Sequence, residues 1–239
     1  MKIIIFFLIL FNIYISQSEE DINENIKERI ITYGSTLRIQ NDITKFYLSS
    51  FDMNWSTGSR LQIVTAVQSD KDTASLFTIK EGEEYPIKKT GEPVLCDDVI
   101  RLEHINTQRN LHSHDFKSFV TDSQEACAFG EGGYGDVNDN FRIVCYKQSG
   151  ENKIFGKTQF FLQHVPTEKW LYINVKKSMY NDYNCRGCPI RGQREVSLSG
   201  NKDKQCLWQV KGGIIFNYEN PEKPSKDDDN EELNTEDSL

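Results

Sequence analysis

Past Ile15 the 239-residue sequence has no apolar run approaching the roughly 20 residues that a membrane-spanning helix needs, so no membrane insertion of the mature chain is expected. Clustered Lys and Arg are also lacking. With 28 basic residues against 36 acidic ones and a net charge of −8, the chain offers no electrostatic footprint for nucleic acid. There is no Ser-centred nucleophile elbow and no Gly-rich phosphate loop. The carboxylates sit in loops and at one end, without the context that marks the paired acids of glycoside chemistry. Helical periodicity is confined to a short piece near Asp21 to Arg29. These absences leave no catalytic constellation, and the expectation is a non-enzymatic protein that needs no cofactor.

The two ends are distinctive. Lys2 is followed by an apolar stretch from Ile3 to Ile15, interrupted only by Asn12, and then by Ser16-Gln17-Ser18. That is the layout of a secretory signal peptide, predicted to span residues 1–18 and to be cleaved after Ser18. A linker over 19–28 follows. Cleavage removes Lys2 and no acid, moving the net charge to −9. Much of that charge lies in residues 219–239, which hold nine acids against two lysines. So polar a segment cannot bury enough apolar surface to offset its chain entropy and is predicted to be a disordered acidic tail. Its last residues, Glu236-Asp237-Ser238-Leu239, share only acids and a final Leu with a lumenal retention signal.

Between the ends the sequence repeats itself. Arg38-Ile39-Gln40-Asn41 through Leu48 matches Arg101-Leu102-Glu103-His104 through Leu111 at a constant displacement of 63, and Phe161 to Leu171 forms a third copy 60 residues on. Each copy has a second half. Gln62-Ile63-Val64, Gln124-Glu125-Ala126 and Arg194-Glu195-Val196 precede Phe77-Thr78-Ile79, Phe141-Arg142-Ile143 and Trp208-Gln209-Val210. The connecting loops are rich in Gly, Asp, Asn and Ser, and the segments alternate with period two, as in Val99 to Ile105. Short alternating strands at regular spacing predict an all-β fold. Three units of about four strands, none able to bury its apolar face alone, point to a β-trefoil with pseudo-threefold symmetry, whose closure removes exposed strand edges. Leu48, Leu111 and Leu171, with Phe77, Phe141 and Trp208, are the expected core layers.

The units resemble MIR repeats, named for mannosyltransferases and the inositol-trisphosphate and ryanodine receptors. The resemblance rests on Gly34, Arg101-Leu102 and Leu111-His112-Ser113, and most of all on the stretch Val99 to His114 followed by Ala128-Phe129-Gly130-Glu131. With a signal peptide and three repeats, about 29–90, 91–152 and 153–218, the core at 29–218 is similar to the stromal cell-derived factor 2 family. That resemblance implies residence in the lumen of the endoplasmic reticulum (secretion being the alternative). It also implies partnership with a J-domain co-chaperone and a BiP-type chaperone, in quality control of unfolded client proteins and the unfolded-protein response. The alternative function is a carbohydrate-binding, lectin-like trefoil linked to protein O-mannosylation. Sugar-binding trefoils of the ricin kind carry Gln-x-Trp in each repeat, and the equivalent places here hold Phe77-Thr78-Ile79, Phe141-Arg142-Ile143 and Trp208-Gln209-Val210. The insert Tyr180 to Gly192 lies outside the repeat pattern and has no role that the sequence assigns.

Six cysteines allow fifteen complete pairings. Cys96 opens the second repeat and Cys145 closes it. The first and last strands of a trefoil unit lie side by side, and the two positions match a cysteine pair of the family, so a Cys96–Cys145 disulfide is expected. Cys185-Arg186-Gly187-Cys188 has redox-motif spacing without the βαβ setting of thioredoxins, and a structural bridge, with Cys206 as a candidate partner, is the reading preferred. Cys127 is expected to be a buried thiol. His112-x-His114 with His104 has the residue types of a zinc site, but His104 and His164 are repeat-equivalent, which favours packing and no bound metal. Asn54-Trp55-Ser56 is a candidate glycosylation sequon in a polar loop.

Overall fold

The structure, a computed structural model, describes residues 26–147, 150 and 152–218. The expected signal peptide and acidic tail, and the linker before residue 26, lie outside the described residues. Four strands form the first repeat: β1 (Thr36–Asn41), β2 (Tyr47–Asn54), β3 (Gln62–Val67) and β4 (Leu76–Glu81). Four more follow: β5 (Val99–His104), β6 (Arg109–Lys117), β7 (Gln124–Phe129) and β8 (Phe141–Cys145). The third set is β9 (Gln159–His164), β10 (Trp170–Tyr172), β11 (Arg194–Glu195), β12 (Ser197–Ser199) and β13 (Trp208–Ile214), with β11 and β12 separated by Val196. The fold is all-β. No helix among the described residues is long and apolar enough to cross a membrane.

Six strands close a ring, because each first strand pairs with the last strands on both sides of it. β1 pairs with β4, β4 with β5, β5 with β8, β8 with β9, β9 with β13, and β13 returns to β1, all antiparallel. Alternation sends Leu37, Ile39, Leu102 and Leu162 into the ring, where they are buried. One end of the ring is tied by a cycle of three backbone hydrogen bonds among repeat-equivalent residues. Ile31 N–H donates to the Ile154 carbonyl (2.8 Å), Ile154 to Val94 (3.0 Å) and Val94 back to Ile31 (2.9 Å). Gly34 stands just before β1 at φ +80°, and a Cβ there would lie 2.8 Å from Thr90 Cγ2, which accounts for glycine at this turn.

The other three strand pairs, β2–β3, β6–β7 and β10–β12, form hairpins that meet over the ring through β3–β7, β7–β12 and β11–β3 pairings. Their inner face carries Val64, Ala66, Ala126, Ala128, Val196 and Leu198, all in the main core cluster. The same cluster holds Leu48, Leu111, Leu171, Phe77, Phe141 and Trp208, each without measurable exposure.

Each set of strands grips the next by one side chain. Short 3-10 turns at Thr73–Ser75, Val137–Asp139 and Lys204–Cys206 are capped by Asp72, Asp136 and Asp203. The middle carbonyls of these turns accept from His104 Nε2 (3.1 Å, from Ala74), His164 Nε2 (3.0 Å, from Asn138) and Asn41 Nδ2 (2.8 Å, from Gln205). A carbonyl only accepts, so the imidazole proton sits on Nε2. The Thr107 and Thr167 hydroxyls then donate to Nδ1 of His104 and His164, each at 2.8 Å. Thr44 plays the same part toward Asn41 Oδ1 at 3.0 Å. Phe77 packs on His104 and Phe141 on His164 with the same centroid distance, 5.2 Å. The histidines are clamps, and His104 does not join His112 and His114.

Cys96 and Cys145 are joined, Cα atoms 5.6 Å apart, across a sequence separation of 49. Cys185 is bonded to Cys188. Cys206, the candidate partner for that bridge, is instead a buried free thiol. It packs with Phe161, Tyr172 and Leu207, whereas Cys185 and Cys188 pack against a separate cluster of Ile63, Tyr180 and Ile190. Burial pushes its thiol up to about 11. Cys127 is the other buried free thiol, also raised by burial.

Removing the long-range bridge is expected to cost about 2–5 kcal/mol in either Cys96→Ser or Cys145→Ser, with little further loss in the double variant. Denaturant unfolding measures this, and additive losses would show that the two do not pair in solution. The clamps carry a second expectation. Burial lowers the His104 pKa and holds that of His164 to about 4, against an ordinary value of 6.5. The unfolded chain therefore takes up protons first as the medium is acidified, so this part of the stability is complete above about pH 6.5 and is lost as pH falls through about 4. His164→Asn supplies the residue already used at position 41. It is expected to remain folded at neutral pH and to flatten the fall of Tm on the acid side; an unchanged profile would refute the clamp's part in acid lability.

Candidate functional site

The outer face of the hairpin cap is where the molecule departs from a simple core. The alternation that points Val64, Ala126 and Val196 inward points Ile63, Glu125 and Glu195 outward, followed by Thr65, Cys127 and Ser197. All six are buried nevertheless, because loops fold over them. Glu195 holds one of these loops. Its carboxylate accepts from Ser118 Oγ (3.0 Å), Val120 N (2.5 Å), Thr121 N (3.1 Å) and Thr121 Oγ1 (2.5 Å). Glu125 accepts from the Ser59 hydroxyl. Burial raises the pKa of both carboxyls, opposed by these hydrogen bonds.

The insert Tyr180 to Gly192 acquires a place here. It closes on itself through Tyr180 N to Gln193 O (3.0 Å) and Gly192 N to Tyr180 O (2.9 Å). Tyr180 and Ile190 pack on Ile63 beside Trp55, Val120 and the Cys185–Cys188 bridge. Burial, and then the nearby Glu195 and Glu125, push the Tyr180 hydroxyl upward. Neither that hydroxyl nor Trp55 Nε1 has a hydrogen-bond partner among the described residues.

Between the insert and the first two hairpins opens a mainly apolar cavity of about 410 Å³. Its walls are Trp55, Ile63, Phe119, Tyr180, Pro189 and Ile190, together with Cys185, Arg186, Cys188, Met53 and Asn54. Phe119 is 55% exposed, and Met53 and Phe116 are exposed as well. Such an arrangement can take an apolar side chain from another molecule. Asn54, the sequon residue, is exposed at the end of β2 on the wall of this cavity. A second, polar depression of about 520 Å³ lies between the first two sets of strands, bordered by Asp52, His104, Gln108, Arg109 and Glu131.

His112 and His114 form a separate chain. Asp139, without measurable exposure, accepts from His112 Nδ1 (2.8 Å), and His112 Nε2 accepts from His114 Nδ1 (2.9 Å). Burial, and then His112, lower the His114 pKa. Ligand atoms of His112, His114 and Cys127, and those of His112, Asp136 and Asp139, lie within 4.8 Å of one another. The hydrogen-bond partners of His112, Asp139 and His114, are themselves members of these groups. What sequence reasoning missed is the buried face of Glu125 and Glu195. A charged residue in the strand phase where the first repeat has Ile63 is the signal that marks it.

Comparison with known proteins follows this geometry. The MIR domain family model matches residues 51–210. Stromal cell-derived factor 2-like protein 1 of Bos taurus is 34% identical over 200 residues, covering 84% of this chain and 84% of that protein. Stromal cell-derived factor 2 of Homo sapiens is 33% identical over 191 residues, 78% of this chain and 82% of that protein. Among solved structures, the SDF2-like protein from Arabidopsis thaliana superimposes with a TM-score of 0.72 at 28% identity, covering 80% of this chain and 99% of that one.

Phe119 is presented by the loop that Glu195 ties down. Glu195→Ala leaves several buried donors unsatisfied and is expected to cost about 3 kcal/mol. Amide exchange should accelerate at Val120 and Thr121 while the ring strands stay protected; unchanged exchange at those two amides would show that the loop is held by something else.

Proposed function

The chain belongs to the stromal cell-derived factor 2 family of MIR-domain proteins, and from that premise we propose that it is a non-enzymatic subunit of a chaperone complex in the lumen of the endoplasmic reticulum. In this reading it joins a J-domain co-chaperone and a BiP-type chaperone in the quality control of unfolded chains. Family membership over most of the chain is the observation that carries the proposal. The signal-peptide pattern at residues 1–18 supports the compartment. The cavity rimmed by Phe119 and Met53 supports recognition of protein, since exposed apolar groups around a concavity mark contact surfaces.

We read the six-strand ring with its three hairpins as a β-trefoil of three MIR units over residues 29–218. The recurrence of one clamp at Asn41, His104 and His164 supports that reading. In such a unit the binding surface lies on the loops that cover the hairpin cap, and the acidic segment 219–239 contributes long-range attraction that salt screens.

The test is affinity purification of the tagged protein from secretory-pathway extract, with identification of what co-purifies. A J-domain protein is expected in stoichiometric amount, retained when residues 219–239 are deleted and weakened by Phe119→Ala. Binding of mannose-bearing glycans with no chaperone captured would replace this reading with the lectin one.

A further inference from the structure

The Cys185–Cys188 bridge differs from its counterpart in the length of the loop it closes and in its surroundings. It spans a sequence separation of 3, against 49 for Cys96–Cys145. Closing so short a loop removes little freedom from the unfolded chain, so the bond adds little to the fold. The insert does not need it either. Tyr180 and Ile190 anchor the segment in the small apolar cluster, and the hydrogen bonds joining Tyr180 to Gly192 and Gln193 close its ends. Cys185 and Cys188 are both half-buried and line the cavity together with Trp55 and Phe119, whereas Cys96 is buried in the main core and its half-buried partner Cys145 packs against that core.

We infer that Cys185–Cys188 is a thiol–disulfide exchange site for cysteine-containing peptides, seated by an apolar side chain in the adjoining cavity. The inference stands apart from any binding of a J-domain protein. Accessibility favours exchange, and the exposed, cationic Arg186 stands between the two cysteines in the sequence. A peptide thiolate attacks one sulfur of the bridge, forming a mixed disulfide and releasing the other sulfur as thiolate. A second thiol of the same peptide, once deprotonated, attacks the peptide sulfur of that mixed disulfide. The peptide leaves with a new disulfide, oxidised by two electrons, and Cys185 and Cys188 are reduced by the same two electrons and carry the two protons.

The test mixes the full chain with a synthetic peptide that bears two cysteines beside a phenylalanine, then alkylates and counts thiols by mass spectrometry. Equal amounts of oxidised peptide and of reduced Cys185 and Cys188 are expected, with Cys96–Cys145 intact. Trp55→Ala and Phe119→Ala should slow reaction with the peptide by about tenfold or more while leaving reduction by dithiothreitol unchanged, because only the peptide uses the cavity. The double variant C185S/C188S should keep the Tm of the parent and oxidise no peptide. A peptide that stays reduced overturns the proposal. So do equal reactivity of the two bridges and a double variant that unfolds.

Discussion

The grip of each set of strands on the next is the interaction on which the rest of the molecule depends. The carbonyls of Ala74, Asn138 and Gln205 accept from His104, His164 and Asn41 in turn, so that the first set is held by the second, the second by the third and the third by the first. A cycle of this kind has no free end. Loss of any one bond would leave a buried polar group unpaired between two sets of strands, at a cost larger than the bond's own net contribution. The histidines therefore have to be neutral and correctly oriented, which their threonine partners Thr107 and Thr167 secure. The same threonines accept from Gln62 (2.8 Å) and Gln124 (3.1 Å) on the hairpins, so ring and cap are locked through shared atoms.

From that lock follows the position of the cavity. Because the hairpins are fixed over the ring, their tips converge on one side, and the residues there are free of the requirement to close it. The three equivalent outward places hold Ile63, Glu125 and Glu195. An apolar residue at one of them and carboxylates at the other two cannot be covered in the same way. Glu195 is covered by the backbone of Val120 and Thr121, Glu125 by Ser59, and Ile63 by Tyr180 and Ile190 of the insert. The cavity between Phe119 and the insert is thus a consequence of unequal residues on an equivalent scaffold.

Much of this scaffold is legible in the sequence, because repetition at displacements of 63 and 60 states which residues share a role without any knowledge of distance. His104 and His164 repeat, and they repeat as clamps, so His104 stands apart from His112 and His114. Strand alternation likewise identifies Leu48, Leu111 and Leu171 as core. What repetition does not reach is the part that does not repeat. The insert at Tyr180 has no counterpart from which to be read, and its packing on Ile63 depends on tertiary proximity between segments more than a hundred residues apart. Cys206 is a candidate partner for the insert's cysteines by residue type alone, and the 3-10 turn that contains it packs in a different cluster.

The distinction between repeating and non-repeating positions also bears on where chemistry can reside. A residue that serves the clamp in three equivalent places is constrained by geometry on both sides, and any change there is felt in the closure of the ring. The loops over the cap carry no such constraint. Phe119 sits on a segment held by Glu195, Trp55 on a loop closed by its own N–H to the Leu61 carbonyl, and Arg186 with the Cys185–Cys188 bridge on the insert, whose ends the Tyr180 backbone closes. Anchored ends with unconstrained middles allow side chains to vary without cost to the core. A reactive bridge placed in the middle of such a segment can open and close while the ring, the clamps and the Cys96–Cys145 bond remain as they are, because no atom of the clamp cycle lies in the insert.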